Sequence, residues 1–218
     1  MLEYGLDPAR IGESKRDPDE IAAFLELHIE QGPVLDNEKI DIGIVDSIVG
    51  LRCYDCYVHG RSDHAGNTPL HMRADTMLAT AKAVIAGTEK AKSIGQNTVF
   101  TCGNIRVSPG AFNIVANETF FQLDCRSQTL ANVDAVLDTV WASLQQSVRE
   151  NPGLSFEMQE RLHAKEVPMD AGIKALMEEK AAEAGITTRR MLSGAGHDAM
   201  IMGSITDVAM IFVPSKGG

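Results

Sequence analysis

LELHIEQG, residues 25–32, alternates apolar side chains with a carboxylate, an imidazole and a second carboxylate. A period of two predicts a β-strand with an apolar face and a polar face. Gly32 and Pro33 end this strand, so His28 lies near its C-terminal end, where open α/β sheets place their ligand sites. The polar row is either a metal-binding face or the solvated face of an amphipathic edge strand, and the alternation alone leaves both interpretations open.

The composition is that of an ordinary globular chain. With 218 residues, 44% of them hydrophobic, it can bury the core of one large or two small domains. A formal net charge of −10 argues against nucleic acid and anionic membranes as partners, since both attract clustered Lys and Arg. No apolar run approaches the roughly 20 residues of a membrane span. The N-terminus lacks a signal-peptide pattern, so we expect a cytoplasmic location.

Four cysteines are too few and too unevenly spaced for a disulfide framework. Cys53 and Cys56 form a CxxC, but residues three apart in an alternating strand point to opposite faces. No second CxxC completes a four-sulfur zinc site. The pattern favours small buried residues over a zinc or redox role.

A self-contained series of elements occupies residues 50–164. Periodicity predicts strands at 51–61, 98–107, 119–126 and 154–162, and helices at 72–93 and 130–149. The order β-α-β-β-α-β is that of a ferredoxin-like domain, a four-stranded antiparallel sheet with both helices on one face. Residues 1–49 and 165–218 carry an α/β pattern, with a short helix from Pro18 to Phe24, strands at 40–49 and 207–213 and a helix at 171–184. The predicted fold class is therefore α/β with an inserted α+β domain.

Two loop residues could approach a substrate. His64 lies in GRSDHAGNTP, before the first long helix, and Asn113 lies in PGAFNIV, between two strands. A loop histidine among small residues is suited to catalysis or binding, but it is equally compatible with an exposed turn. Asn is also common in turns, where it satisfies local hydrogen bonds.

Arg126, at the end of the strand FFQLDCR, could bind a carboxylate in a bidentate manner, and a structural salt bridge with Asp124 or a helix competes with that role. His197, in SGAGHDAM, follows glycines and opens a helical stretch, where amides and an imidazole could meet an anion. A glycine-rich helix entry is also ordinary loop geometry. The phosphate-binding lysine of a nucleotide loop is missing, which argues against nucleotide binding.

Taken together, five separated motifs resemble the M20-type metallo-amidohydrolases: LELHIEQGPVLD, GRSDHAGNTPLHMRAD, FNIVANETFFQLDCRS, SGAGHDAM and MIFVPSKGG. Within that family they are similar to the branch of N-carbamoyl-L-amino-acid hydrolases, β-ureidopropionases and allantoate amidohydrolases. The resemblance covers nearly the whole chain in the right order. It implies a zinc-peptidase-like α/β catalytic domain with two divalent ions (Zn, Mn, Co or Ni), and an inserted ferredoxin-like lid that also makes a homodimer.

The resemblance also implies roles for individual residues. His28 matches a metal ligand, and His64 matches a histidine that enters the partner protomer's site and stabilises the oxyanion. The implied substrate-binding residues are Gln31, Asn113, Arg126 and His197. Asn113 and Arg126 match the pair that holds the substrate carboxylate.

The sequence departs from the family pattern in its metal ligands. The family's first histidine, bridging aspartate and Glu-Glu pair have no counterpart here, and its last ligand histidine would follow the FVPSKGG stretch that ends at Gly218. Of five expected ligands only His28 is present. We therefore expect an internal fragment that holds no metal stably, is inert by itself, and keeps a lid that dimerises.

The substrate implied by the resemblance is a small carbamoyl or ureido compound. We expect N-carbamoyl-L-amino acids, hydrolysed at a non-peptide C–N bond to the amino acid, CO2 and ammonia. Allantoate is the alternative substrate, because it also presents a carboxylate and a ureido group. A non-catalytic dimerisation or ligand-binding module that uses Asn113, Arg126 and His197 is the alternative of another class.

Overall fold

A computed structural model describes residues 1–95 and 97–216 of the chain. The last two residues of the FVPSKGG motif lie outside the described residues. The chain divides into two compact units. The flanking unit comprises Met1–Asp46, Pro168–Met191 and Gly196–Gly218, and the inserted unit comprises Ser47–Val167 and Leu192–Ala195. The division predicted from sequence, at residues 50 and 165, leaves residues 192–195 outside the inserted domain.

The strands and helices follow one another along the chain as follows. The strands are β1 (Phe24–Ile29), β2 (Ile42–Ile48), β3 (Gly50–His59), β4 (Thr98–Ser108), β5 (Glu118–Ser127), β6 (Ser155–Ala164), β7 (Val167–Pro168), β8 (Thr188–Ser193) and β9 (Val208–Val213). The helices are α1 (Val34–Glu38), α2 (Thr76–Ile94), α3 (Leu130–Glu150), α4 (Ala171–Glu183) and α5 (Asp198–Met202). Short 3-10 helices cover Leu2–Tyr4, Pro8–Ser14, Pro18–Glu20 and Leu70–Met72.

The inserted unit confirms the ferredoxin-like prediction. Its sheet has the order β4-β5-β3-β6, and every neighbouring pair is antiparallel. Both helices pack on one face, where their apolar residues meet those of β3 and β5 in one core. The largest fully buried side chains of this core are Phe121, Leu123, Val58, Val133, Val136, Val140 and Leu144.

Gly87 allows α2 to approach its neighbours closely. A Cβ at this position would lie 2.7 Å from Cγ2 of Val140 in α3 and 2.8 Å from Cε1 of Phe100 in β4. Glycine in a helix interior is normally unfavourable by about 1 kcal/mol relative to alanine. Here the close packing requires it.

The flanking unit contains the other sheet, of order β1-β9-β2-β7, with β8 paired to β2. β1 is an edge strand that runs parallel to β9, and His28 is opposite Phe212. The alternation in LELHIEQG is confirmed. Of the two interpretations of its polar row, the solvated face does not agree with the structure, because the Glu26 side chain is only 14% exposed. The apolar residues Leu25 and Leu27 are instead 61% and 70% exposed. The polar row of β1 is therefore the sheltered one.

Three local predictions need correction. The helix predicted from Pro18 to Phe24 is only the 3-10 turn Pro18–Glu20, because the Phe24 N–H donates to Asp207 at the start of the β1–β9 pairing. The first long helix begins at Thr76 rather than Met72, since Asp75 caps it through the N–H of Leu78. Strand β8, with two arginines and weak alternation, was not predicted.

The four cysteines are free thiols. Cys56 and Cys125 lie in the core, where burial raises the pKa of each thiol to about 12. Cys53 lies outside that core and contacts Asp124 at 3.4 Å, and its pKa rises to about 11, mainly through burial. The two residues of the CxxC therefore have separate surroundings, as the alternation predicts. Among the described residues, no helix is long and apolar enough to cross a membrane.

Candidate metal and substrate site

Three side chains of the flanking unit converge at the C-terminal half of β1. The rings of His28 and His197 have centroids 4.6 Å apart and stand nearly edge to face, at 66°. Oε1 of Glu26 lies 3.9 Å from Nδ1 of His197. One possible ligand atom from each of the three residues lies within 4.8 Å of the other two. Strand β1 thus supplies two donors and the turn before α5 supplies the third.

Backbone groups orient the two donors on β1. Oε2 of Glu26 accepts a 2.7 Å hydrogen bond from the N–H of Ala199, which leaves Oε1 on the side of His197. Nδ1 of His28 donates to the carbonyl of Ile29 at 2.8 Å. Since a carbonyl can only accept, this bond leaves the lone pair of His28 on Nε2. Metal-ligating histidines are commonly oriented by this kind of hydrogen bond.

The side chain of His197 is more buried than that of Glu26. Its side chain is 2% exposed, and its ring lies 5.7 Å from that of Phe212. Burial lowers the pKa of His197 below its ordinary value, and the neighbouring His28 lowers it further, against the opposing effect of Glu26. The imidazole is therefore neutral near pH 7, the form that binds either a metal ion or a hydrogen-bonding substrate.

The second carboxylate of the row, Glu30, caps a helix. Glu30 accepts hydrogen bonds from the N–H groups of Val34 and Leu35, both at 2.8 Å, and so caps the start of α1. Gln31 follows it with a left-handed φ of 55° and an exposed residue surface. The turn after β1 is therefore held by Glu30, while Glu26 remains with the two histidines.

The donor set fits one metal ion and not two. Over residues 1–95 and 97–216, Glu26, His28 and His197 are the one group of three or more His, Cys, Asp or Glu side chains with this spacing. Protein zinc sites use three or four protein ligands for each ion. A pair of ions needs more donors than these three residues offer. Sequence reasoning gave Glu26 little weight, because the resemblance drew the other ligands from elsewhere.

His64 and Asn113 come together in the inserted unit. Their loops form a short antiparallel bridge, in which Ala65 N–H donates to the Asn113 carbonyl and Val115 N–H donates to that of Asp63, both at 2.9 Å. Nδ1 of His64 accepts from the N–H of Gly66 at 3.1 Å. The proton of a neutral His64 therefore sits on Nε2, on an exposed residue, where it can be donated outward.

Arg73 holds the His64 loop, and sequence reasoning missed it. Its Nε donates to the carbonyl of Thr68 at 2.8 Å, and its Nη2 donates to that of Ala65. The carbonyl of Arg73 in turn accepts from the side-chain amide of Asn151. The stretch HMRAD is part of the motif around His64, but nothing in its pattern distinguishes Arg73 from a surface arginine.

Arg126 forms a salt bridge with Asp124, which the sequence offered as the alternative to substrate binding. Its Nε and Nη2 donate to the two carboxylate oxygens of Asp124 at 2.7 and 2.8 Å, and its Nη1 donates to the carbonyl of Gly194 at 2.6 Å. The bond to Arg126 lowers the pKa of Asp124, and Asp124 raises that of Arg126. A guanidinium carries five N–H groups, so about two remain for another acceptor.

Arg126 and the His64–Asn113 pair lie at opposite ends of β5. The Asn113 loop precedes the first residue of that strand, Glu118, whereas Arg126 is its next-to-last residue. Eight residues of strand span about 27 Å. Within one chain, one amino-acid-sized substrate cannot contact Asn113 and Arg126 together. The two are brought into one site only if two chains contribute.

Known proteins match nearly the whole length of this chain. The family described as Peptidase family M20/M25/M40 matches residues 3–218. An N-carbamoyl-L-amino-acid amidohydrolase of Paenarthrobacter aurescens is 38% identical over 215 residues, 99% of this chain and 52% of that protein. An allantoate amidohydrolase of Escherichia coli K12 is 36% identical over 202 residues, 91% of this chain and 48% of the relative.

Solved structures agree with these relatives. A hydantoinase/carbamoylase family amidase from Burkholderia multivorans superposes with a TM-score of 0.82 at 29% identity, over 89% of this chain and 47% of that one. The chain spans about half the length of the relatives it matches. The family match extends over nearly all of its residues, and we conclude that the chain belongs to the peptidase family M20/M25/M40.

Proposed function

We propose that this chain is part of a metal-dependent hydrolase that cleaves N-carbamoyl-L-amino acids at a non-peptide C–N bond, releasing the amino acid, CO2 and ammonia. The similarity to the N-carbamoyl-L-amino-acid amidohydrolase of P. aurescens, which extends over 99% of the chain, supports this substrate class. The observation that carries the proposal is the backbone bridge between the His64 loop and the Asn113 loop, because it brings the two residues together while the exposed His64 keeps a proton on Nε2.

His64 is the oxyanion donor in this proposal. As water attacks the carbamoyl carbon, negative charge develops on the carbonyl oxygen, and the Nε2–H of His64 donates to it. The Gly66 N–H already holds Nδ1, so no tautomer change is needed when the substrate arrives. Removing one preorganised donor of this kind lowers kcat about 100- to 1,000-fold in other enzymes.

Arg126 and Asn113 bind the substrate carboxylate, with Gln31 and His197 as further substrate contacts. Asp124 holds one edge of the Arg126 guanidinium, and the two remaining N–H groups suit a carboxylate. Because β5 separates Arg126 from Asn113 and His64, the complete site takes Arg126 from one protomer and His64 with Asn113 from its partner. A homodimer through the inserted unit meets this requirement.

The metal chemistry of the whole enzyme would come from a bound divalent ion. A bound divalent ion would polarise the substrate carbonyl and activate water. His28 would be its ligand from this chain. Since the donors of this chain fit one ion only, we propose that the 218 residues alone do not turn over substrate. Metal-dependent release of ammonia from N-carbamoyl amino acids by the purified chain, with Zn2+, Mn2+, Co2+ or Ni2+ supplied, would contradict this.

The shared site can be tested in a chimera, in which this chain replaces the matching segment of the P. aurescens relative. The chimera is expected to hydrolyse N-carbamoyl-L-amino acids, and its His64→Ala and Arg126→Ala variants are each expected to be nearly inactive. Mixing the two variants under conditions of subunit exchange should restore about a quarter of the activity, because half of the dimers are mixed and each has one intact site. If both residues served a site within one chain, mixing would restore nothing.

Allantoate is the second candidate substrate. It is favoured by the E. coli allantoate amidohydrolase, whose identity of 36% is nearly that of the carbamoylase relative. Rates of ammonia release from N-carbamoyl amino acids and from allantoate by the same chimera would separate the two. A chimera active on allantoate alone would overturn the first choice and keep the reaction class.

A further inference from the structure

We propose that Thr76 and Thr119 are positioning residues, whose hydrogen-bonded hydroxyl groups hold the His64 loop and the Asn113 loop in register. The His64 loop joins β3 to α2, and the Asn113 loop joins β4 to β5. The way in which the two loops are held concerns the chain by itself. Its consequence for turnover rests on the proposed function, in which one loop carries the oxyanion donor and the other a substrate-binding amide.

The two threonines lie where the loops end. Thr76 is the first residue of α2, directly after the His64 loop, and Thr119 is the second residue of β5, after the Asn113 loop. Their hydroxyl oxygens are 2.8 Å apart, and both residues are fully buried. This distance is the ordinary length of an O–H···O hydrogen bond. The bond therefore joins the end of one loop to the end of the other.

Backbone contacts at the same place leave little room for the loops to shift. The N–H of Thr76 donates to the carbonyl of Ala116 at 3.3 Å, and the N–H of Gly60 donates to that of Asn117 at 2.8 Å. A Cβ at Gly60 would lie 2.8 Å from Cγ2 of Thr76 and would overlap the carbonyl oxygen of Ala74. Both loops are therefore fastened at one shared base.

The position of this base determines where the site residues lie. From it the loops extend to the bridge in which Ala65 N–H donates to the Asn113 carbonyl and Val115 N–H donates to that of Asp63. Nδ1 of His64 accepts from a backbone N–H of its own loop, so the imidazole moves with the backbone of that loop. In enzymes a misplacement of about 1 Å can lower the rate about 100-fold.

A threonine one turn further along α2 shows what the hydroxyl pair adds. Thr80 is as buried as Thr76, but its hydroxyl has no hydrogen-bond partner among the described residues. Removing one partner of the Thr76–Thr119 bond would leave the other hydroxyl buried and unpaired, which is unfavourable. Replacing both partners by apolar groups of the same shape can be nearly neutral. Single and double valine variants therefore separate the stability of the unit from the position of the loops.

The experiment is amide hydrogen exchange of the native 218-residue chain, read by NMR at the N–H groups of Ala65 and Val115. Thr76→Val is expected to accelerate exchange at both by at least about 5-fold, the shift in an equilibrium that one unpaired buried hydroxyl produces. The double variant of Thr76→Val and Thr119→Val leaves no hydroxyl unpaired, so it carries the test if the single variant does not fold. It is also expected to exchange faster, because the bond is absent. Unchanged exchange in the folded variants overturns the proposal.

Two matched controls separate the loops from general stability. Thr80→Val removes a buried hydroxyl of the same helix that makes no hydrogen bond within the described residues. Thr98→Val breaks the Thr98–Ser127 pair, whose hydroxyl oxygens are also 2.8 Å apart but which lies at the other end of β5. Both are expected to leave exchange at the two bridge amides unchanged. Equal acceleration in Thr98→Val would mean general destabilisation and would contradict the positioning role.

Turnover is measured in the chimera with the P. aurescens relative. Thr76→Val is expected to lower kcat/KM about 10-fold, whereas Thr76→Ser, which keeps the hydroxyl, restores it and Thr80→Val has no effect. Faster exchange with unchanged kcat/KM would overturn the positioning role. A chimera that is inactive without any substitution would contradict the proposed function alone, because hydrogen exchange still decides how the loops are held.

Discussion

The two carboxylates that flank His28 are expected to respond differently to substitution, and Glu30→Ala tests this. Glu30 accepts two hydrogen bonds, both at 2.8 Å, from the first N–H groups of α1. Capping substitutions to alanine cost about 0.5–2 kcal/mol, and bonds to a charged acceptor lie at the upper end of that range. We expect a loss of about 1–2 kcal/mol in the free energy of unfolding. With a urea slope of about 2 kcal/mol/M, the midpoint falls by about 0.5–1 M.

The assay is urea unfolding followed by far-UV circular dichroism, with Trp141 fluorescence as a second probe. Trp141 is the chain's one tryptophan and lies on α3, so its fluorescence reports the inserted unit, whereas Glu30 belongs to the flanking unit. Glu26→Gln is the matched comparison, because it changes the other carboxylate of the same strand. Glu30→Ala should lower stability and leave Zn2+ affinity unchanged. A Glu30→Ala chain with unchanged stability and weakened Zn2+ binding would refute the division of roles.

Three further predictions concern the inserted unit. Gly87→Ala is expected to destabilise this unit by about 1 kcal/mol, because overpacking costs about 1–3 kcal/mol and exceeds the helix-propensity gain of about 1 kcal/mol. Gly103→Ala is the control, since nothing lies within 4 Å of a Cβ at that position. Equal stability of the two variants in urea would contradict the close packing at Gly87. Cys56, with a pKa of about 12, should resist iodoacetamide in the native chain at pH 8 and react after unfolding, as read by mass spectrometry. Asp124, whose pKa is lowered by Arg126, should contribute stability above the ordinary aspartate pKa of about 3.9 and lose it as the pH falls through its own lower value. Both side chains are about a third exposed, so the contribution stays within about 1 kcal/mol, and Asp124→Asn should remove this part of the acid dependence of unfolding.

The inserted unit was the most predictable part of the chain. Its strands and helices are long, and their apolar residues repeat with clear periods, so the element order and the ferredoxin-like arrangement follow from local pattern. The short flanking elements were harder. Pro18–Glu20 carries helix-start residues but ends after one turn, because Phe24 is drawn into pairing with β9. Strand β8 forms through pairing with β2, and a pairing partner distant in sequence leaves no local pattern.

The residues of the candidate site also differ in how far the sequence predicts them. His28, His64, Arg126 and His197 were recognised because each lies in a motif. The role of Arg73 depends on two carbonyls of a loop that folds back on it, and backbone carbonyls leave no trace in residue identity. Likewise, the sequence could not decide whether Arg126 binds a substrate or Asp124. Only the hydrogen bonds show that Asp124 occupies one side of the guanidinium while about two N–H groups remain.

The sequence by itself determined that LELHIEQG is a strand with an apolar and a polar face, because side-chain alternation is a local property of extended backbone. It could not determine which face is sheltered, since that depends on what packs against the strand. The tertiary structure brings His197 and Ala199, about 170 positions away in the chain, to Glu26 and His28, and it leaves Leu25 and Leu27 exposed. It also separates two residues that look alike in sequence: Glu30 caps a helix, and Glu26 completes a group of three metal donors.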